Sequence, residues 1–374
     1  MNILLVNWQD LENPHAGGAE LHLFELFGRL ASSGHRVHLV CSGWPGAEPR
    51  ALVRGISVER HGGRNSFALL GRKAVRRALG RERWDVVVED INKLPLFLTT
   101  LTRLPFCAIV PHLFGTTAFQ EASWPAAVTV TLAEQPIPRL YRRAGFHAIS
   151  ESTRDDLVAR GIPRDRVRVI HPGIDAQTYA PVAGLDRTEP PTFLYVGRLK
   201  RYKGVEVALR ALAEARRERP DLTLDIAGSG DDGDRLRQVA GALGLGDAVR
   251  FLGFVTEERK RQLFRAAWAN LFPSPKEGWG LTVMEAAACG TPSVASDSPG
   301  LRDSVRQGET GFLVPHGDAV ALARRMLELA ADPALVERLG AAARRHALAW
   351  SWDDAAAATE AHLTELTTPR HGSP

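Results

Sequence analysis

Cysteine is scarce in this 374-residue chain: Cys41, Cys107 and Cys289 are scattered, odd in number and without CxxC spacing. That leaves no pattern for structural zinc or dithiol redox work, and the three read as small buried hydrophobes. No run of about 18 apolar residues occurs, which argues against a transmembrane helix. Met1–Asn7 lacks a basic leader and a small-residue cleavage site and reads as a first buried strand, so the expected location is the cytoplasm. No strong excess of one charge exists either. The net charge of +4, without a clustered motif, gives no nucleic-acid partner. There is no GxSxG elbow, HExxH pair or Walker loop, so serine hydrolase, zinc protease and P-loop NTPase readings have no support.

What is present is an ordinary globular composition, 44% hydrophobic and 24% charged, over a length that favours two domains. Short apolar runs (Ile3–Val6, Val37–Cys41, Val86–Glu89, Ala108–Val110, Ala148–Ser150, Val167–Ile170) alternate with helix-like stretches such as Glu20–Ser33. This alternation predicts βαβ units around a parallel sheet. It lapses from Gly173 into a Pro-containing connection and restarts at Thr192–Val196, with a helix expected over Gly204–Arg219. The expected fold is α/β, two Rossmann-like doubly wound domains facing each other with the ligand cleft between them. The expected boundaries are 1–178, 179–350 and a last helix with tail, 351–374, that crosses back to the first domain.

The most informative stretch is Glu277-Gly278-Trp279-Gly280-Leu281-Thr282-Val283-Met284-Glu285. Amides freed by glycines at a helix start make an anion pocket suited to a diphosphate. The flanking carboxylates would repel a bare phosphate and are better matched to hydroxyls of a sugar or ribose. Upstream, Arg198 and Lys203 follow a strand and precede a helix, where two cations neutralise a diphosphate. As isolated residues they would equally be solvated surface cations. Gly17 and Gly18 follow the first strand and let backbone approach a ligand, although an ordinary loop reads the same. His112, just past the strand Ala108–Val110, is placed to meet the transferred sugar or the incoming hydroxyl. Base recognition is expected from backbone near Leu252 and Gly253.

Gly228-Ser229-Gly230-Asp231-Asp232-Gly233 is a literal GxGxxG after a strand, the mark of a dinucleotide site. Its aspartates oppose a pyrophosphate, and a helix N-cap at Asp231 or Asp232 explains the run better than a dinucleotide or a metal does. Between Arg64 and Arg83 lie seven basic residues against the single acid Glu82. At helical spacing Arg72, Lys73, Arg76 and Arg77 share one side, and Phe67, Leu70, Ala74 and Ala78 lie towards another. Such a helix either lies on an anionic membrane surface or is a solvated helix packed on the first domain. Arg139-Leu140-Tyr141-Arg142-Arg143 is a second basic cluster.

Together the Gly17–Glu20 loop, His112, Gly197-Arg198 with Lys203-Gly204 and the Glu277/Glu285 pair, in that order, resemble glycosyltransferase family 4 over nearly the whole chain. The resemblance implies the GT-B fold and a retaining, nucleotide-sugar-dependent enzyme. It implies that Arg198 and Lys203 bind the donor diphosphate, Glu285 the ribose and Glu277 the transferred sugar. The amides of Trp279, Gly280 and Leu281 would line sugar and phosphate, with Gly278 and Thr282 in the same donor pocket. Trp279 stands where the family commonly has phenylalanine, which is expected to alter pocket shape. On the acceptor side Glu89, Asp90, Asn92 and Glu134 are expected contacts. No cofactor and no metal are expected, the co-substrate being a UDP- or GDP-sugar. The expected reaction is hexosyl transfer to a hydroxyl acceptor, lipid-linked or a cell-surface glycan precursor. A peripheral position on the inner membrane face goes with the basic stretch. Rival readings are a nucleotide-sugar epimerase of similar fold, a nicotinamide oxidoreductase and a non-catalytic sugar-binding protein.

Overall fold

Strands composed largely of Val, Ile and Leu are stable when helices cover both sheet faces, and both halves of this chain are built that way. The computed structural model describes residues 1–115, 119, 124–182, 184 and 187–368. It divides into two compact units: Met1–Gly173 with the stretch from Trp352, and Ile174–Ser351. Residues 369–374 of the expected tail lie outside the described residues, as do 183, 185 and 186 of the expected connection.

The first unit contains β1 (Asn2–Val6), α1 (Gly18–Ser32), β2 (Arg36–Cys41), β3 (Arg50–Val53), β4 (Ile56–Arg60), α2 (Phe67–Arg81), β5 (Val86–Asp90), β6 (Phe106–Val110), β7 (Gly145–Ala148) and β8 (Val167–Val169). Its sheet has the order β3-β4-β2-β1-β5-β6-β7-β8, parallel except for the β3–β4 pair. Leu4, Val6, Val87, Ala108, Val110 and Phe146 form the centre of its core. Because β1 is flanked by β2 and β5, the chain winds in opposite directions from its carboxyl end, the switch point at which such sheets bind ligands. Gly17 ends the connection that leaves this point, and Gly18 opens α1. The helix Trp352–Thr367 packs on α1, joined by Arg29–Asp353 at 2.6 Å and His35–Glu360 at 2.9 Å.

The second unit is a six-stranded parallel sheet of β9 (Thr192–Val196), β10 (Thr223–Ala227), β11 (Val249–Gly253), β12 (Asn270–Phe272), β13 (Ser293–Ser296) and β14 (Gly311–Val314). The order β11-β10-β9-β12-β13-β14 puts its switch point at β9, directly before Arg198. The helices Val205–Ala215 and Ala319–Ala331 cover the core formed by Phe193, Tyr195, Leu224, Ile226 and Leu271. Thr256, Asp318 and Asp332 cap helix starts by accepting amide hydrogens three residues on.

Several local expectations change. The expected strand Ala148–Ser150 is Gly145–Ala148, because Ser150 accepts the Thr153 amide as a helix cap. The expected helix Gly204–Arg219 is a 3-10 turn at Arg201–Lys203 and a helix over Val205–Ala215, parted by Gly204 at φ 68°. In α2 the buried stripe runs through Phe67, Gly71, Ala74, Val75 and Ala78, and Leu70 is exposed beside Leu69. Arg72 leaves the basic side, since its guanidinium donates to the carbonyls of Leu96 and Phe97 and to Thr100 Oγ1. Among the described residues no helix is long and apolar enough to cross a membrane.

Candidate active site

The second unit gathers the charged groups of the Glu277 stretch. Lys203 Nζ donates to Glu277 Oε1 at 2.6 Å, with each side chain 14% exposed. Burial works against the Lys203 charge, but the Glu277 carboxylate outweighs it and raises the lysine above its ordinary value, with Arg198 opposing. The ammonium also lies 5.0 Å from the Tyr202 ring centroid. Arg198 itself is exposed, and its carbonyl accepts from Tyr195 Oη at 3.1 Å. The helix Leu281–Ala288 starts on Gly280, at φ 81°, with no side-chain cap. Val283 and Met284 donate back to the Gly280 carbonyl, so the amides of Leu281 and Thr282 are the first-turn donors. Gly300 holds Glu277 from behind: a Cβ there would stand 2.1 Å from the Glu277 carbonyl oxygen.

The glycines of the GxGxxG run serve the same loop. A Cβ on Gly228 would lie 1.9 Å from the Gly197 oxygen, and one on Gly230 would lie 2.1 Å from the Leu199 oxygen. The Leu199 amide donates to Ser229 at 2.9 Å, so the run is a bed for the backbone around Arg198. Asp232 occupies the expected N-cap position, but its carboxylate is spent on Arg235, at 2.6 and 2.8 Å, and gives the helix no cap bond. Asp231 pairs with Lys200 at 2.6 Å.

Glu285 is buried, and Tyr179 Oη and Lys260 Nζ each donate to its Oε1 at 3.0 Å. Burial lifts the Glu285 carboxyl above the usual carboxylate range while the Lys260 ammonium and the Tyr179 hydroxyl restrain the rise. Glu257 closes the group, accepting from Tyr179 at 2.6 Å and pairing with Lys260 at 3.0 Å. Sequence reasoning missed both donors. Lys260 sits in Glu-Glu-Arg-Lys-Arg, which reads as a solvated helix face, and Tyr179 carries no local pattern. Trp279 does not line an open pocket with its ring. The indole is 2% exposed and packs edge-on against Trp350, centroids 5.6 Å apart, leaving only its backbone for a ligand. Leu252 is half-buried at the end of β11, next to Gly253, whose carbonyl accepts the Gly228 amide at 2.7 Å.

In the first unit Glu20 accepts the Gly17 amide at 2.8 Å, which fixes the glycine loop at the start of α1. His112 is half-buried with its ring 4.9 Å from that of Phe114. The turn around it is held from both sides: Thr153 donates to the Pro111 carbonyl at 2.8 Å, and Glu134 accepts the Phe114 and Gly115 amides at 2.7 and 2.9 Å. Glu134, also paired with Arg160 at 3.2 Å, is thus a positioning residue rather than an acceptor contact. Glu89 is corrected in the same way. Its buried carboxylate accepts from the Leu96 and Leu98 amides and from Tyr141 Oη, at 2.5, 3.2 and 2.9 Å. Burial nevertheless raises it to about 7. Asp90 and Asn92 differ, because Asp90 Oδ1 and Asn92 Oδ1 have no hydrogen-bond partner among the described residues. Burial pushes Asp90 well above the carboxylate range, with Glu20 adding repulsion and Lys93 opposing it.

A family model described as Glycosyltransferase Family 4 matches residues 16–178, and one described as Glycosyl transferases group 1 matches residues 181–346. A glycogen synthase of Mycobacterium tuberculosis is 30% identical over 96% of this chain and 93% of its own. A D-inositol 3-phosphate glycosyltransferase of Streptomyces bingchenggensis is 36% identical over 65% of this chain and 57% of its own. The chain thus spans little more than half the length of that relative, and about half of similar Streptomyces proteins. Among solved structures, a sucrose-phosphate synthase from Thermosynechococcus elongatus superposes with a TM-score of 0.84 over 98% of both chains, at 25% identity. Anabaena HepE, solved in complex with UDP and glucose, shares the fold at 19% identity, with a TM-score of 0.77 over 98% of this chain and 100% of its own. The chain belongs to glycosyltransferase family 4 and has its GT-B fold of two Rossmann-like α/β domains.

Proposed function

We propose that this protein transfers a hexosyl group from a nucleotide diphosphate sugar to a hydroxyl acceptor with retention of anomeric configuration. The observation that carries the reading is the Lys203–Glu277 ion pair next to Arg198 and ahead of the uncapped helix Leu281–Ala288. Arg198, Lys203 and the amides of Leu281 and Thr282 take up the charge of the departing diphosphate. Glu277 accepts from sugar hydroxyls, and Glu285, oriented by Tyr179 and Lys260, accepts from the ribose. Backbone at Leu252 and Gly253 meets the base, and Gly278, Trp279 and Gly280 contribute backbone to the sugar and phosphate. In the first unit Gly17 and Gly18 admit the ligand to close backbone approach. His112 contacts the sugar or incoming hydroxyl, with Asp90 and Asn92 on the acceptor side. These residues carry the leaving-group charge themselves, so no metal is assigned a role and EDTA is expected to leave the rate unchanged.

The test is thermal stabilisation by UDP, GDP, ADP and NAD with EDTA present. UDP is the first choice, because HepE was solved with it. The matching nucleotide is expected to add roughly 2.7 kcal/mol at a hundredfold excess over its dissociation constant. A shift with NAD alone would overturn the proposal. Sugar conversion without any acceptor would replace it by an epimerase.

A lipid-linked acceptor and a place on an anionic membrane go with α2, which exposes Leu69, Leu70, Lys73, Arg76 and Arg77 together. Each cation near the surface contributes about 1 kcal/mol. Changing Lys73, Arg76 and Arg77 to glutamine is therefore expected to release the protein from phosphatidylglycerol vesicles. Undiminished co-sedimentation would withdraw the membrane role.

A further inference from the structure

A second concentration of positive charge lies away from every residue assigned above. Arg103, Arg139, Arg142 and Arg143 line one cavity of about 640 Å³, with Thr99 and Thr100 on its wall. Among the described residues no carboxylate lines it. None of the four guanidinium groups has an ion-pair or hydrogen-bond partner among the described residues. The four side chains are exposed, and a second concavity of the same unit shows by contrast a cluster whose charge is compensated. There Arg36, Arg50 and Arg81 share the wall with Glu59 and Glu82; Arg36 is paired with Glu82, and Arg81 lies 3.6 Å from Glu59. Four uncompensated guanidiniums around one hollow repel each other, and an anion relieves that repulsion.

Its place in the fold separates this cavity from the transfer site. Arg103 precedes β6, and Arg142 and Arg143 precede β7, so the cavity sits at the amino ends of two adjacent parallel strands. His112 follows the carboxyl end of β6, roughly 16 Å away along a five-residue strand. Ligands of the reaction bind at carboxyl ends, so this hollow is not part of that chemistry. The backbone around it is fixed: Thr99 Oγ1 donates to the Leu140 carbonyl at 2.8 Å, and Arg72 binds Thr100 Oγ1 at 3.0 Å. Guanidinium forks match phosphate oxygens two at a time, which a set of lysines would not.

We infer that this arginine-lined hollow is a second, non-catalytic binding site for a phosphoryl anion. The anion comes from one of two sources, a phospholipid headgroup or a soluble phosphorylated compound. Calorimetric titration with inorganic pyrophosphate compares the wild-type chain, a variant with Arg103, Arg139, Arg142 and Arg143 all changed to glutamine, and Lys203→Gln. The wild type and Lys203→Gln are expected to share a binding event that weakens in high salt, and the arginine variant to lose it by tenfold or more. The component lost only in Lys203→Gln belongs to the donor site, so the two sites fail separately. A parallel arm sediments wild type and arginine variant with phosphatidylcholine vesicles, with and without phosphatidylglycerol. Loss of phosphatidylglycerol-dependent sedimentation in the variant names the headgroup; lost pyrophosphate binding with unchanged sedimentation names a soluble phosphate. Identical behaviour of the two proteins in both arms would overturn the inference.

Discussion

Glu277→Gln is expected to lower turnover by roughly 10²–10³-fold while nucleotide affinity stays within a few fold. The side chain is nearly isosteric, so the loop held by Gly300 keeps its course, and the amide oxygen still accepts from Lys203 at the place where the carboxylate did at 2.6 Å. What disappears is the negative charge that accepts strongly from sugar hydroxyls as the bond to the diphosphate stretches. Lys203→Gln is expected to act differently. It removes a cation from the diphosphate and leaves the Glu277 carboxylate uncompensated in a largely buried position, so donor affinity and turnover both fall. Steady-state kinetics together with calorimetry of the free nucleotide separate the two patterns. A wild-type rate in Glu277→Gln would remove Glu277 from the chemistry, and undiminished donor affinity in Lys203→Gln would remove Lys203 from the diphosphate site.

Much of this site was legible because its signal is local. Glycine before a helix start is a backbone requirement, and Gly280 at φ 81° meets it within a few residues of Glu277 and Glu285. The parallel sheets were legible for a similar reason, since strands covered on both faces are written as short unbroken apolar runs. Partners distant in sequence were not. Tyr179 and Lys260 reach Glu285 from 106 and 25 residues away, and neither has a pattern that announces it. Glu89 and Glu134 show the converse error. Glu89, within β5, and Glu134, at the end of the helix Trp124–Glu134, read as contacts for an acceptor, yet each is consumed by amides of its own chain that only the tertiary fold brings near. The GxGxxG run packs closely on the Arg198 loop, a contact that depends on strand order and that the local pattern does not announce. The antiparallel β3–β4 hairpin escaped because Arg54 supplies a left-handed residue at φ 48° that nothing in its identity predicts.

Acid is expected to loosen the first unit through histidines that the proposed reaction does not use. His22 on α1, His147 on β7 and His362 on the last helix lie in the interior, and the His22 ring is 5.6 Å from His147 and 5.9 Å from Trp352. Burial lowers His22 to about 4, and burial followed by repulsion from Arg168 lowers His362 to about 4, with Glu365 opposing. Neither ring nitrogen of either residue has a hydrogen-bond partner among the described residues, so both are held neutral. The unfolded chain takes up these protons first. Stability is therefore full above pH 6.5 and lost as pH falls from 6.5 through 4, by about 3 kcal/mol per histidine once the titration is complete. Glu89, raised to about 7, works in the other direction, gaining stability on the same descent, so the bare pH profile mixes opposite signs. The double variant His22→Leu/His362→Leu isolates the histidines. Urea unfolding at pH 7 and pH 5 is expected to show the wild type losing roughly 3–4 kcal/mol more than the variant between the two conditions. The variant is also expected to be no less stable at pH 7, because four unpaired ring nitrogens leave the interior. Equal pH dependence in the two proteins would mean that these imidazoles are solvated as the last helix breathes on α1. The attachment of that helix would then be looser than its ion pair to Arg29 and its hydrogen bond to His35 imply.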